Sequence, residues 1–226
     1  MPSDIPFLKE RLAEAARYAL MRRLLPAIRH NIAGTLQPVG MMSAMLERRM
    51  KAAVPDLVQL GKNTQALNIL SREAAATALG LMSWLAPNDN HLVALNSGVE
   101  ESLNLVTTEL SFRGFSIANE TAEQQMQLPR GVLRSVFMAS LMALTDAVED
   151  AARVVVTAGI ADRQTQLTIS LESAGSTHLV DLGDPPKTYR RLGWDDVQEL
   201  AEAEGVSISH DVNSVQLIYS SSADPG

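Results

Sequence analysis

His30 lies in the run Arg29-His30-Asn31-Ile32-Ala33-Gly34-Thr35-Leu36, where a lone imidazole could act as a nucleophile or proton carrier. Around it Tyr18, Met21, Leu25, Ile28, Ile32, Thr35, Val39, Met42 and Leu46 recur at spacings of three and four, which predicts a helix with a heptad seam. At about 100° per residue, His30 stands about 160° from Ile28 and Ile32 and so points away from the seam. Arg23, Ala27, Ala33, Gly34 and Gln37 fall within about 60° of it on the helical wheel, and small side chains there leave an imidazole open to an incoming partner. Between Ala15 and Ala44 there are arginines (Arg17, Arg22, Arg23, Arg29) but no acid, although the whole chain carries a net charge of -7. Such a local basic excess favours an acidic surface or a phosphoryl group.

The elements that must hold this face follow from the flanking pattern. Leu60, Thr64, Leu67, Ser71, Ala74, Ala78, Leu81 and Leu85 continue a four-three alternation between Pro55 and Pro87, predicting a second seamed helix and hence a hairpin turning at 48–56. A hairpin alone leaves its seam open, so two copies are expected to form a four-helix bundle, making the chain a homodimer. Pro26 and Pro38 lie inside the first helix, where each removes a main-chain hydrogen bond and predicts a kink or break.

After Pro87-Asn88-Asp89-Asn90 the pattern changes to mixed α and β. The spacing predicts helices at 98–110, 129–151 and 195–204 and strands at 112–118, 153–157, 166–171, 206–208 and 215–219, with 153–171 a hairpin through 159–163. The expected organisation is a helical hairpin at 1–87, an α/β domain at 91–220 and a frayed tail at 221–226.

Composition narrows the classes. The 226 residues are 46% hydrophobic, enough for a real core, and the absence of cysteine removes disulfides and thiolate metal sites. No apolar run reaches membrane-spanning length and no signal core stands at the start, so a soluble cytoplasmic protein is expected, with no membrane partner. An acidic balance with 4% aromatic residues argues against nucleic acid as a partner. His91, His178 and His210 show no ligand spacing, and no metal site is expected. Trp84 and Trp194 are expected to anchor packing between hairpin and second domain, while Asp146 and Glu149 read as the solvated end of an apolar helix.

In their order along the chain these segments resemble the dimerisation hairpin and ATP-binding domain of bacterial histidine kinases. His30-Asn31-Ile32-Ala33-Gly34-Thr35-Leu36 resembles that family's phospho-acceptor box. The stretch from Val99 to Leu105, continuing to Arg113-Gly114-Phe115, resembles the first ATP-domain helix and its following strand, and 133–147 resembles the central nucleotide-site helix. The fold implied is α+β: a two-helix hairpin forming a dimeric four-helix bundle, followed by a degenerate Bergerat-like α/β sandwich.

The family's working positions are replaced. Ala139 and Ala143 stand where magnesium-coordinating asparagines are found, and neither can ligate a metal. Glu172-Ser173-Ala174-Gly175-Ser176 stands in place of the adenine-binding aspartate and glycines, and only Gly183 or Leu192-Gly193-Trp194 represents the later phosphate loop. Asn31 replaces the acid that takes up the histidine's proton, while Gly34 and Thr35 replace residues tied to phosphatase activity and to the box's proline.

The resemblance therefore implies a histidine phosphotransferase that keeps the kinase architecture without ATP-dependent activity. His30 would be the phospho-acceptor, with Arg23, Ala27, Arg29, Asn31, Ala33, Gly34 and Gln37 docking the partner or supporting the phosphoryl group. The partners implied are response-regulator receiver domains and a hybrid histidine kinase. No cofactor is expected, any magnesium being the receiver's own. A non-catalytic pseudokinase docking module is the alternative, and an active atypical kinase using Glu172 and Asp146 a third.

Overall fold

Asp56 sets the chain's first reversal: its carboxylate accepts the Gln59 amide at 3.0 Å and caps the second helix. In this computed structural model, residues 4–85, 91–121, 126–148, 150–161, 164–172 and 192–220 are described. Helix α1 runs Asp4–Met50 and α2 Leu57–Met82, followed by a short 3-10 turn Ser83–Leu85. Of the kink or break expected at Pro26 and Pro38, a break does not occur. Both prolines lie inside α1, which continues through them.

The chain divides into two compact units, Met1–Leu24 with Pro87–Gly226, and Leu25–Ala86. This differs from the sequence boundary, because the first turns of α1 belong with the α/β unit rather than with the hairpin. The reason is a stripe the heptad reading passed over: Ala13, Ala16, Leu20 and Leu24, spaced three, four and four, are all buried.

In the hairpin unit, Ile28, Ile32, Thr35, Val39, Met42 and Leu46 are half-buried along α1 as the seam predicts. Tyr18 and Leu25, placed in the same seam, are exposed. Helix α2 has 26 residues against 47 in α1, so an antiparallel return spans about the second half of α1 and stops short of Tyr18. On α2, Ala74 and Leu81 are buried and Leu60, Leu67 and Ala78 half-buried, but Thr64 and Ser71 are exposed, with Asn63 and Leu70 turned inward instead.

The α/β unit continues with β1 (Leu92–Ala94), α3 (Leu95–Phe112), β2 (Ser116–Glu120) and β3 (Gln127–Pro129). A helical stretch follows in three pieces, α4 (Arg130–Val132), a π-helical turn (Leu133–Phe137) and α5 (Met138–Asp146). Then come β4 (Arg153–Ala161), β5 (Gln164–Glu172), α6 (Trp194–Ala203), β6 (Val206–His210) and β7 (Ser214–Ser220). The main sheet has the order β2-β4-β5-β7-β6, with β2 parallel to β4 and the other neighbours antiparallel.

The predicted β4/β5 hairpin is present and longer than expected, in register from Arg153↔Glu172 to Ala161↔Gln164. The strand expected at 112–118 begins later. Helix α3 runs on to Phe112 and Gly114, at φ +87, makes the turn before β2. The short antiparallel pair β1/β3 was not foreseen. Period-two alternation on β5 buries Leu167, Ile169 and Leu171, and β7 adds Val215, Leu217 and Tyr219. Val99, Leu103, Val106 and Leu110 of α3 and Val197 and Leu200 of α6 supply the helical share of the core, while α5 is buried from Met138 to Thr145.

Arg23 closes this unit. Its Nε donates to Asp146 Oδ2 at 2.5 Å, and its Nη2 reaches Asp146 Oδ1 at 2.8 Å and Glu109 Oε1 at 2.6 Å. Arg113 binds the same carboxylate at 2.7 Å and donates to the Thr145 carbonyl at 2.6 Å. Burial works against the Arg23 charge, but the hydrogen bonds and charges of Asp146 and Glu109 together outweigh it and hold the guanidinium above its ordinary range. Asp146 is thus a half-buried ion-pair partner, not the solvated helix end expected. Glu149 lies outside the described residues. Lys9–Glu202 at 2.9 Å, exposed, and Arg17–Glu204 at 3.0 Å, part-buried, add single pairs along the same helix.

Two stability outcomes follow. Arg23→Met should cost about 2–3 kcal/mol in urea denaturation, because it strips Glu109 of its cation and leaves Asp146 with Arg113 alone. Tyr219 has a buried hydroxyl with no hydrogen-bond partner among the described residues, and burial raises its pKa. The neutral phenol's contribution is complete below its unfolded pKa of about 10 and is lost as pH rises beyond that value. Tyr219→Phe should therefore fold as well as or better than wild type at neutral pH and show a smaller alkaline loss of thermal midpoint.

Candidate functional site

His30 is exposed on α1, as are Arg29, Ala33, Gly34 and Gln37. A Cβ built on Gly34 meets no atom within 4 Å, so the surface one turn beyond the histidine is open. Thr35 Oγ1 turns back to the Asn31 and Ile32 carbonyls at 3.2 and 3.0 Å, which removes its hydroxyl from this face.

Three of the residues grouped with His30 behave differently. Arg23 is committed to Asp146 and Glu109 in the α/β unit and does not present its charge beside the histidine. Ala27 is buried, because it continues the stripe of Leu20 and Leu24 rather than the open face. Asn31 is half-buried and engaged in an interaction of its own. The open patch is therefore narrower than the helical wheel implies, and Arg29 is its adjacent exposed cation. An exposed imidazole flanked by a methyl group and a glycine can receive a large partner surface and attack an electrophile that the partner carries.

The second region of interest is α5. Ala139 and Ala143 are buried, presenting methyl groups to the core, so this helix offers no ligand at the two positions. Ser140 and Thr145 spend their hydroxyls on the Val136 and Leu141 carbonyls at 2.8 Å each. Glu172, at the end of β5, is exposed and pairs with Arg153 at 3.2 Å. At the start of α6 the Gly193 amide donates to the buried Asp196 carboxylate at 2.9 Å, so the N-cap N–H is satisfied by the chain's own side chain. Residues 173–176, Gly183 and His178 lie outside the described residues.

Trp194 stacks face to face on His210, with ring centroids 3.9 Å apart and planes 5° from parallel. Both belong to the α/β unit, where the stack braces α6 against the end of β6. Sequence reading missed the Arg23, Glu109, Arg113 and Asp146 cluster. The four-residue spacing of Glu109 and Arg113 was its only local sign. No group of His, Asp and Glu among the described residues is arranged to hold a metal ion, and no described helix is long and apolar enough to cross a membrane.

Because the Gly34 position is open, Gly34→Ala should raise the thermal midpoint, in keeping with the up to about 1 kcal/mol by which alanine exceeds glycine inside a helix. A fall in midpoint would show that the face is already occupied.

No family model matches this chain, and no curated protein does. Solved structures with a related arrangement include the histidine kinase AdeS of Acinetobacter baumannii, at 15% identity and a TM-score of 0.47, covering 84% of this chain and 98% of that one. A histidine kinase of Burkholderia phymatum STM815 is 17% identical with a TM-score of 0.41, covering 85% and 95%. A bacterial phosphotransferase is 14% identical with a TM-score of 0.41, covering 88% and 94%. At these identities and scores the likeness assigns neither family nor activity.

Proposed function

We propose that this chain is a two-component phosphorelay protein, a homodimeric histidine phosphotransferase that passes a phosphoryl group between receiver-domain aspartates through His30. The observation that carries the reading is the exposure of His30 beside Ala33 and Gly34 on the long helix of a hairpin. Neutral His30 attacks the phosphorus of a receiver aspartyl phosphate. The N–P bond forms as the P–O bond breaks, and the aspartate carboxylate leaves. The reverse step delivers the group to the aspartate of a second receiver.

The chain supplies a positioned nucleophile and a docking surface, while the receiver supplies magnesium and the acyl phosphate. Arg29 is the exposed cation next to His30 that can offset charge on the incoming phosphoryl oxygens. Autonomous ATP-dependent kinase activity is not part of the proposal, since Ala139, Ala143, and the Glu172 carboxylate paired to Arg153 offer no phosphate or magnesium ligand set. The half-buried seam of α1 and the exposed Ile69, Leu79 and Met82 of α2 support association of two hairpins in a bundle.

Incubation with a phosphorylated receiver should label wild type and not His30→Ala, while labelled ATP with magnesium should label neither. Labelling by neither donor would make the chain a docking pseudokinase. Labelling of His30 by ATP would make it an atypical kinase.

A further inference from the structure

The buried stripe Ala13, Ala16, Leu20 and Leu24 uses one side of α1, and the opposite side is a surface of unusual composition. Phe7, Leu8, Arg11, Ala15, Tyr18 and Arg22 share an arc of about 100°, centred roughly opposite the stripe. Phe7 and Tyr18 are each 62% exposed and Leu8 is 56% exposed. The two arginines lie over the rings on the same helix, Arg11 at 5.7 Å from the Phe7 centroid and Arg22 at 5.5 Å from that of Tyr18. Arg22 Nη1 also donates to the Tyr18 hydroxyl at 3.0 Å. The ring pairs hold the guanidinium groups close to the apolar surface, so less side-chain freedom is lost when a partner meets them.

Phenylalanine, tyrosine and arginine are the residue types enriched in interface centres. The charge pattern chooses among occupants. The arc contains two cations, and Glu10 and Glu14, the carboxylates between Phe7 and Arg22, lie outside it. A second copy lying parallel would set Arg11 against Arg11 and Arg22 against Arg22, which is unfavourable. An anionic bilayer would have to accept a chain of net charge -7. We propose that this face of α1 is a docking surface for an acidic amphipathic helix of a partner protein, its apolar side meeting Phe7, Leu8 and Tyr18 and its carboxylates meeting Arg11 and Arg22. The arc extends for about 23 Å, room for some four helical turns. This surface does not depend on the reading of His30.

The test uses the full chain and two synthetic helical peptides, each with leucine on one face, one flanked by glutamate and the other by lysine. Calorimetric titration at low salt should show the glutamate peptide binding at least about tenfold more tightly than the lysine peptide, a preference that shrinks at high salt. Arg11→Glu with Arg22→Glu should reverse the preference, and Tyr18→Ala should weaken both. Arg11 and Tyr18 are exposed and Arg22 is half-buried, and circular dichroism of each variant confirms that it is folded. Equal binding of the two peptides, or a preference untouched by the double charge reversal, would overturn the proposal. So would a mass that rises with concentration and is lost in Tyr18→Glu, which would assign the face to a second copy. Binding to phosphatidylserine vesicles that is lost in the same variant would assign it to membrane and likewise overturn the proposal.

Discussion

A guanidinium taken out of water must find carboxylates, and this requirement governs the α/β unit. Arg23 satisfies it with Asp146 on α5 and Glu109 on α3, while Arg113 shares the Asp146 carboxylate and holds the Thr145 carbonyl. One side chain thereby fastens the first turns of α1 to two helices that follow it by some hundred residues in sequence. The small residues of the stripe, Ala13 and Ala16, let the helix backbone come close, and Leu20 and Leu24 fill the remaining space. Breaking such a cluster on one side costs more than its net contribution to folding, because the remaining charges are left desolvated.

The same unit shows how a helix turns from a ligand surface into core. With Ala139 and Ala143 among Met138, Leu141, Met142 and Leu144, α5 buries all but its last residue and keeps its hydroxyls bonded to its own carbonyls. Polar side chains at those two positions would be costly in this environment without a bound ligand to satisfy them. The π-helical turn Leu133–Phe137 just before α5 carries Arg134, which pairs with Glu101 of α3. Gly98, whose added Cβ would lie 2.3 Å from a Leu133 methyl carbon, allows α3 to approach that turn. The polar contacts here serve packing.

On the hairpin the balance is the reverse. His30 lacks the burial that would make it a packing residue, and Gly34, which lowers helix propensity, fills no tight contact. A glycine where alanine would fit leaves room for close approach beside the exposed His30 that carries the phosphotransfer proposal.

Much of the architecture was legible along the chain because it depends on local periodicity: the two long helices, the β4/β5 hairpin, the closing strands and the helix stopped at Gly205 all announce themselves within a dozen residues. The azimuth of His30 away from the seam was readable for the same reason. The sequence by itself determined which residues share a helix face, since 3.6 residues per turn is a property of the backbone. Tertiary structure alone decided which face is covered: Arg23 and Ala27 lie close to His30 in azimuth, yet one is drawn into an ion pair with Asp146 and Glu109 and the other is buried. Long-range charge pairing made that choice for Arg23 and leaves no periodic mark; the stripe that Ala27 continues is periodic, but a one-dimensional pattern does not say which of two competing faces is covered.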